Sequence, residues 1–235
     1  MFKLKLGNDI VNLTAPRAAK KYLNHKFLNR VFTNKEQDII ESFNNPNDKS
    51  KIFWAIWAAK EASFKACQKQ EPELIFAHRK FEITFNTDLT NIQSNNYVPK
   101  QHIIGTAYYQ DQLLTLKCEL TENLVHSIAV LLDPNRIFNN FDEINHHIFN
   151  IDSENHIKES LSTRFYAKRF LISCGLEEPI EIIRKNTIIN NTKRLGPPTV
   201  FMQDRELSTI EISLSHDHGL GAIAFIDLKD HLNVP

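Results

Sequence analysis

The stretch Trp54 to Cys67 contains neither proline nor glycine and is rich in alanine, a composition that leaves helix as its natural state, extended here to about 49–69. Helical geometry then fixes what the side chains do. Glu61 and Lys65 are four residues apart and share a face, and Trp57 lies one turn before Glu61 on the same side. Lys60 points roughly 100° away from that face. One helix face therefore carries a carboxylate, an ammonium group and an indole. Alone, such a pair equally describes a surface salt bridge worth a few tenths of a kcal/mol, about 0.3–0.5.

Three further motifs decide how to read it. Gly7-Asn8-Asp9-Ile10-Val11 follows the alternating segment Phe2 to Leu6 and is expected to set a carboxylate where a strand ends, with a glycine that lets a ligand approach the backbone. A plain turn aspartate would satisfy the same pattern. In Arg30-Val31-Phe32-Thr33-Asn34-Lys35-Glu36, Thr33 and Glu36 form a capping box that opens a helix through about Phe43. Ser213-Leu214-Ser215-His216-Asp217 joins the strand Ser208 to Leu214 to the apolar run Leu220 to Ile226. A histidine at such a junction is either an ordinary loop residue or a phosphate contact.

Taken jointly and in this order, Gly-x-Asp-Ile-Val, Arg-Val-Phe-Thr-x-x-Glu, Trp-x-x-Lys-Glu-Ala-x-x-Lys and Ser-His resemble the 4'-phosphopantetheinyl transferase superfamily, and within it the holo-acyl-carrier-protein synthase branch. The resemblance covers residues 4–67 and 194–227, the latter including Gly196-Pro197-Pro198; residues 68–190 match no motif directly.

Composition bounds the remaining possibilities. A chain of 235 residues that is 42% apolar can bury one large core or two of about 110 to 120 residues each. The 28 basic and 28 acidic residues balance, which argues against non-specific nucleic-acid binding, and no nucleic-acid motif is present. Cys67, Cys118 and Cys174 have no metal-ligand spacing, so reduced thiols are expected. Neither a secretory segment nor a membrane-spanning run is visible, and a soluble cytoplasmic protein is expected.

The chain reads as α+β, with two pseudo-equivalent halves of the transferase fold, each a small antiparallel sheet packed with helices. Thr115–Thr121 with Ser127–Asp133, and Thr209–Ser215 with Ala222–Asp227, both read as strand, turn and apolar strand ending in Asp. Phe165–Phe170 can be laid on Trp57–Ala62, which puts Arg169 where the first copy has Glu61 and Ser173 where it has Lys65, while Glu122 falls near the counterpart of His216. The expected division is 1–133, carrying the metal and Lys-Glu motifs, and 134–235, carrying the Ser-His motif. The Pro- and Asn-rich stretch Asp133 to Asn140 would be the hinge, and 86–101 a surface loop. Helices are also expected near 16–29, 141–147 and 154–174, with strands near 2–6, 79–86, 102–109, 113–121, 126–132, 180–190, 199–203, 208–215 and 221–227.

The resemblance implies a chemistry. The 4'-phosphopantetheine arm of coenzyme A would pass to a serine of an apo acyl or peptidyl carrier protein, releasing 3',5'-ADP with Mg²⁺ bound by Asp9 and Glu61. Asp9, Glu61 and Lys65 are the implied catalytic residues, and Lys65, His216, Lys60 and Ser215 the implied coenzyme contacts. Family members of the surfactin type carry a third acid two residues after the Asp, where this chain has Val11. The general base is left open between Glu61 and a metal-bound water. Between Met1 and Lys35 eight basic residues face the single acid Asp9, so an acidic carrier is expected to dock there through Arg17 and Lys21. Each half would keep half a site, making the active unit a monomeric pseudo-dimer. The carrier's pathway is left open: fatty-acid, polyketide, peptide or another synthesis. A coenzyme-A-binding regulatory module without transfer activity is the alternative.

Overall fold

The computed structural model describes residues 3–86, 89, 100–133, 137–153, 155–189 and 192–231. Pro134 to Arg136 of the expected hinge, and Asn91, Asn95 and Asn96 of the expected loop, lie outside them. The chain begins with β1 (Lys3–Asn12), passes through α1 (His25–Val31) and α2 (Asn34–Glu41) to the long α3 (Pro46–Gln68), and continues as β2 (Phe81–Phe85), β3 (Gln101–Tyr109), β4 (Gln112–Leu120) and β5 (Leu124–Asp133). These strands make one antiparallel sheet in the order β1-β5-β4-β3-β2. The remainder is β6 (Asn145–Asn150), α4 (His156–Ser173), β7 (Ile180–Ile189), β8 (Thr192–Met202), β9 (Arg205–Glu206), β10 (Ile210–Asp217) and β11 (Leu220–Asp227). It forms two antiparallel sheets, β10-β11-β6 and β7-β8-β9. The fold is α+β.

Three apolar clusters hold these layers together. On one face of the five-stranded sheet, Ile52, Phe53, Ile56 and Ala59 of α3 pack with Leu114, Leu116, Val125 and Ala129. On the other, Leu4, Leu6, Ile128, Val130 and Leu132 meet Ile144, Ala224 and Ile226. Beyond β11, Ala167 and Leu171 of α4 cover Phe149, Ile212, Ile223 and Phe225. Full burial of one such aliphatic side chain is worth about 1.5–3 kcal/mol, so the middle cluster is what joins the first sheet to the second.

The edges of β1 and β10 meet without forming a ladder. Asn8 N–H donates to Ser213 Oγ at 2.8 Å and Asn12 N–H to Asp217 Oδ2 at 2.8 Å, so side-chain oxygens stand where a neighbouring strand would present carbonyls. Lys5 and Lys69 both grip Glu211, at 2.5 and 2.8 Å, and Lys69 also donates to Ile212 O at 2.7 Å. This seam brings the ends of β1 and β10 together.

Several local expectations need correcting. Residues 16–29 do not form one helix: turns, a 3-10 segment at Lys21–Leu23 and α1 replace it, with Lys20 at a left-handed φ of 54°. Arg17 and Lys21 are therefore not partners on one α-helix face. The expected helix at 141–147 is a 3-10 turn, Phe141–Glu143, followed by β6, because Asn145 to Asn150 find their backbone partners on β11. Gly7 does not end its strand either, since β1 runs on to Asn12. Its role is close approach: a Cβ there would collide with Ala62 O and stand 2.8 Å from Ala66 N. The absent side chain lets α3 lie against β1, and that contact sets Glu61 and Lys65 beside Asp9.

Candidate active site

A cleft of about 660 Å³ opens where the ends of β1 and α3 face β10, α4 and the β7–β8 hairpin. Asp9, Trp57, Glu61 and Lys65 line it from one side, and Ser215 and His216 from the other. Of the eight residues expected in the site or its docking face, Lys60 and Lys21 are the two that do not line it.

Lys65 Nζ donates to Asp9 Oδ1 at 2.8 Å and to Asn8 O at 2.9 Å, so its ammonium is held at the end of β1. Burial raises the Asp9 carboxyl above its ordinary range, against the pull of Lys65. Glu61 is raised as well, to about 7, first by burial and then by the charge on Asp9. Two desolvated carboxylates, Glu61 raised by the charge on Asp9 and Asp9 by that on Asp217, make a site where a cation would relieve both. The donor set suits a hard divalent ion, for which one or two carboxylates commonly suffice when phosphate and water complete the shell. Among the described residues no cluster of three or more His, Cys, Asp or Glu could hold a metal by itself. An ion held by Asp9 and Glu61 would draw the rest of its shell from phosphate or water.

Ser215 is buried, and its Oγ has no hydrogen-bond partner among the described residues. An unpaired hydroxyl in a cleft wall costs free energy unless something in the cleft pairs with it. His216 presents its ring beside it, with Nδ1 3.3 Å from Glu159 Oε2 and the His156 ring 4.7 Å away, edge-on. Burial and the neighbouring His156 hold this imidazole below its ordinary value.

Lys60 is elsewhere. Its side chain is wholly buried, paired with Glu36 Oε1 at 2.8 Å and donating to His78 O at 3.1 Å and to Phe81 O. Its three donors are used, and none is left for a coenzyme phosphate. Glu36 itself also completes the expected capping box with Thr33 and accepts from Ile83 N–H at 2.8 Å.

Arg17, expected on a docking face, lines the cleft. It pairs with the buried Asp217 and lies 5.7 Å from the centre of the Trp54 ring. Lys21 lies over the Phe27 ring at 4.7 Å. Sequence reasoning missed Glu159, Arg164 and Arg184 as cleft or near-cleft residues. Ser160 and Arg164 follow His156 at four-residue intervals on α4, and that spacing was the available signal. The thiols play no part, since burial pushes Cys67 and Cys118 up to about 12 and Cys174 is exposed outside the cleft.

No helix among the described residues is long and apolar enough to cross a membrane. No curated protein matches the chain. Residues 5–116, which include Asp9, Glu61 and Lys65, match the family model of the 4'-phosphopantetheinyl transferase superfamily. The matched segment, a little under half of the chain, carries the paired carboxylates and is similar to the 4'-phosphopantetheinyl transferase superfamily.

Proposed function

We propose that the protein is a holo-acyl-carrier-protein-synthase-type enzyme that moves the 4'-phosphopantetheine arm of coenzyme A to a serine of an acidic apo carrier protein. The observation that carries this reading is the raised Asp9–Glu61 pair, set in a cleft whose opposite wall holds an unpaired serine hydroxyl and a histidine. Asp9 and Glu61 would hold Mg²⁺, which when bound neutralises charge gathering on the pyrophosphate as 3',5'-ADP departs. Lys65, anchored by Asp9, keeps an ammonium group beside the same phosphates. Ser215 Oγ and His216 bind the coenzyme from the second wall.

In the transfer the serine oxygen of the carrier forms a bond to the phosphorus bearing the pantetheine arm. The bond from that phosphorus to the bridging oxygen breaks, and its electron pair leaves with 3',5'-ADP. The serine proton needs an acceptor, and Glu61 or a water beside the ion would take it; the Glu61 value of about 7 belongs to the metal-free cleft.

The site draws its groups from residues 1–133 and 134–235, so the reading makes one chain a complete catalytic unit, a monomer built from two related halves. Its support is a shared order: in each half the first strand pairs antiparallel with the last, β1 with β5 and β6 with β11, with a long helix following the first strand. The carrier would dock beside the cleft on the basic segment that includes Arg17 and Lys21, and the reaction would be cytoplasmic. Incubation with apo carrier protein, coenzyme A and Mg²⁺ tests the transfer by the mass of the carrier. Asp9→Asn or Glu61→Gln is expected to reduce conversion by several orders of magnitude in a folded protein. A carrier that gains no mass with the parent protein, while coenzyme A still binds, would favour the regulatory-module alternative.

A further inference from the structure

We propose that Glu159 is the positioning residue of His216, holding the imidazole so that Nδ1 carries a proton toward α4 and Nε2 is left for an anionic group in the cleft. The inference rests on the reading of His216 as a coenzyme contact and names the group that makes it one.

Glu159 is buried, with 4% of its surface exposed, on the first turn of α4. Its two oxygens reach different partners. Oε1 accepts the Gly219 N–H at 2.7 Å, and Oε2 lies 3.3 Å from His216 Nδ1. The first contact is built by the β10–β11 turn: His218 and Gly219 have φ of 41° and 82° between the paired Asp217 and Leu220, as in the two-residue hairpin turns that suit twisted strands. That turn aims the Gly219 amide back at α4, fixing the carboxylate before it meets the imidazole.

An ionised carboxylate can only accept, so the nitrogen facing it must carry hydrogen. In the neutral ring this leaves Nε2 as an acceptor; in the protonated ring Nε2 donates, the state that suits a phosphate. The titratable and charged groups around the ring are Glu159 and His156 from α4 and Lys65 from α3. Of these, Glu159 alone favours the imidazolium; His156 and Lys65 oppose it. Glu159 thus governs both the ring's orientation and the pH range over which it can bind an anion.

Glu159→Gln retains an oxygen for Gly219 N–H but turns the amide NH₂ toward Nδ1, removing the charge that favours the imidazolium and leaving a neutral ring with hydrogen on Nε2 alone. We expect coenzyme A binding, measured calorimetrically without carrier, to weaken about tenfold, the scale of a lost hydrogen bond to a charged group. The pH at which binding falls off should move downward, because the group that raises the imidazole pKa is gone. In a His216→Ala background, Glu159→Gln should have no further effect. A neutral Glu159→Gln beside a weakened His216→Ala overturns the proposal and leaves the coenzyme reading intact. An equal loss in both backgrounds also overturns it, since Glu159 would then act through the fold. Unchanged binding in His216→Ala removes the coenzyme role of His216, and this proposal with it. Should Glu159→Gln fail to fold, ring ¹⁵N shifts of His216 in the parent protein decide: Nδ1-protonated is expected, and a neutral ring protonated on Nε2 refutes.

Discussion

Glu61→Gln should make the metal-free protein more stable while abolishing its activity. The Glu61 carboxyl sits at about 7 in the folded chain against an ordinary 4.5, so folding opposes its ionised form. At about 1.36 kcal/mol per pH unit that difference is worth about 3 kcal/mol. The sign follows from linkage. A group with a raised folded pKa contributes its full stability below pH 4.5, where both states are protonated, and loses it as pH rises to about 7. Glutamine has no proton to lose. Urea unfolding in the presence of a chelator should therefore place the variant close to the parent at pH 4.5 and above it by roughly 2–3 kcal/mol at pH 8. Saturating Mg²⁺ and coenzyme A should close the gap by stabilising the parent alone. A variant less stable than the parent at pH 8, or equally stabilised at both pH values, would refute the argument that desolvation and Asp9 strain this carboxyl.

Two other perturbations test what positions the site. Gly7→Ala should cost more than 3 kcal/mol or prevent folding, because the new methyl meets Ala62 O and Ala66 N on α3, backbone that cannot yield without lifting Glu61 away from Asp9; thermal melting measures it. Glu211 is pushed up by burial but brought below its ordinary 4.5 by Lys69 and Lys5, so its contribution is present above pH 4.5 and is lost as pH falls through the lower folded value. Glu211→Gln should consequently destabilise the seam at pH 7 by about 3 kcal/mol, as when one partner of a buried ion pair is removed, with the loss shrinking in acid; denaturant titrations at the two pH values check this.

What could be read before folding depended on how local the determinant was. Thr33 and Glu36 cap α2 as their spacing requires, and α3 forms where alanine-rich sequence lacks breakers, because both depend on neighbours within a turn. The joint motif likewise located Asp9, Glu61, Lys65, Ser215 and His216, all of which line the cleft. Failures fall where a distant partner decides. Asn145 to Asn150 extend only because β11 offers them a ladder, and Gly7 looks like a turn residue until α3 is laid across it. Lys60 was misjudged for the same reason: a lysine next to a site glutamate says nothing of Glu36, which waits beneath it on another helix. Glu159 was invisible because its partners, His216 and Gly219, are about sixty residues away.

The seam between β1 and β10 has a consequence for how the protein fails. Both are terminal strands of their sheets, and an open strand edge is a template onto which another chain can add. Here each covers the other, with Ser213 and Asp217 occupying the Asn8 and Asn12 amides that an incoming strand would need. Residues beside the cleft therefore also guard against strand addition. Loss of Asp217 would free Arg17 and leave the Asn12 amide without that acceptor, so damage at this point should surface as self-association of otherwise folded chains before it surfaces as unfolding.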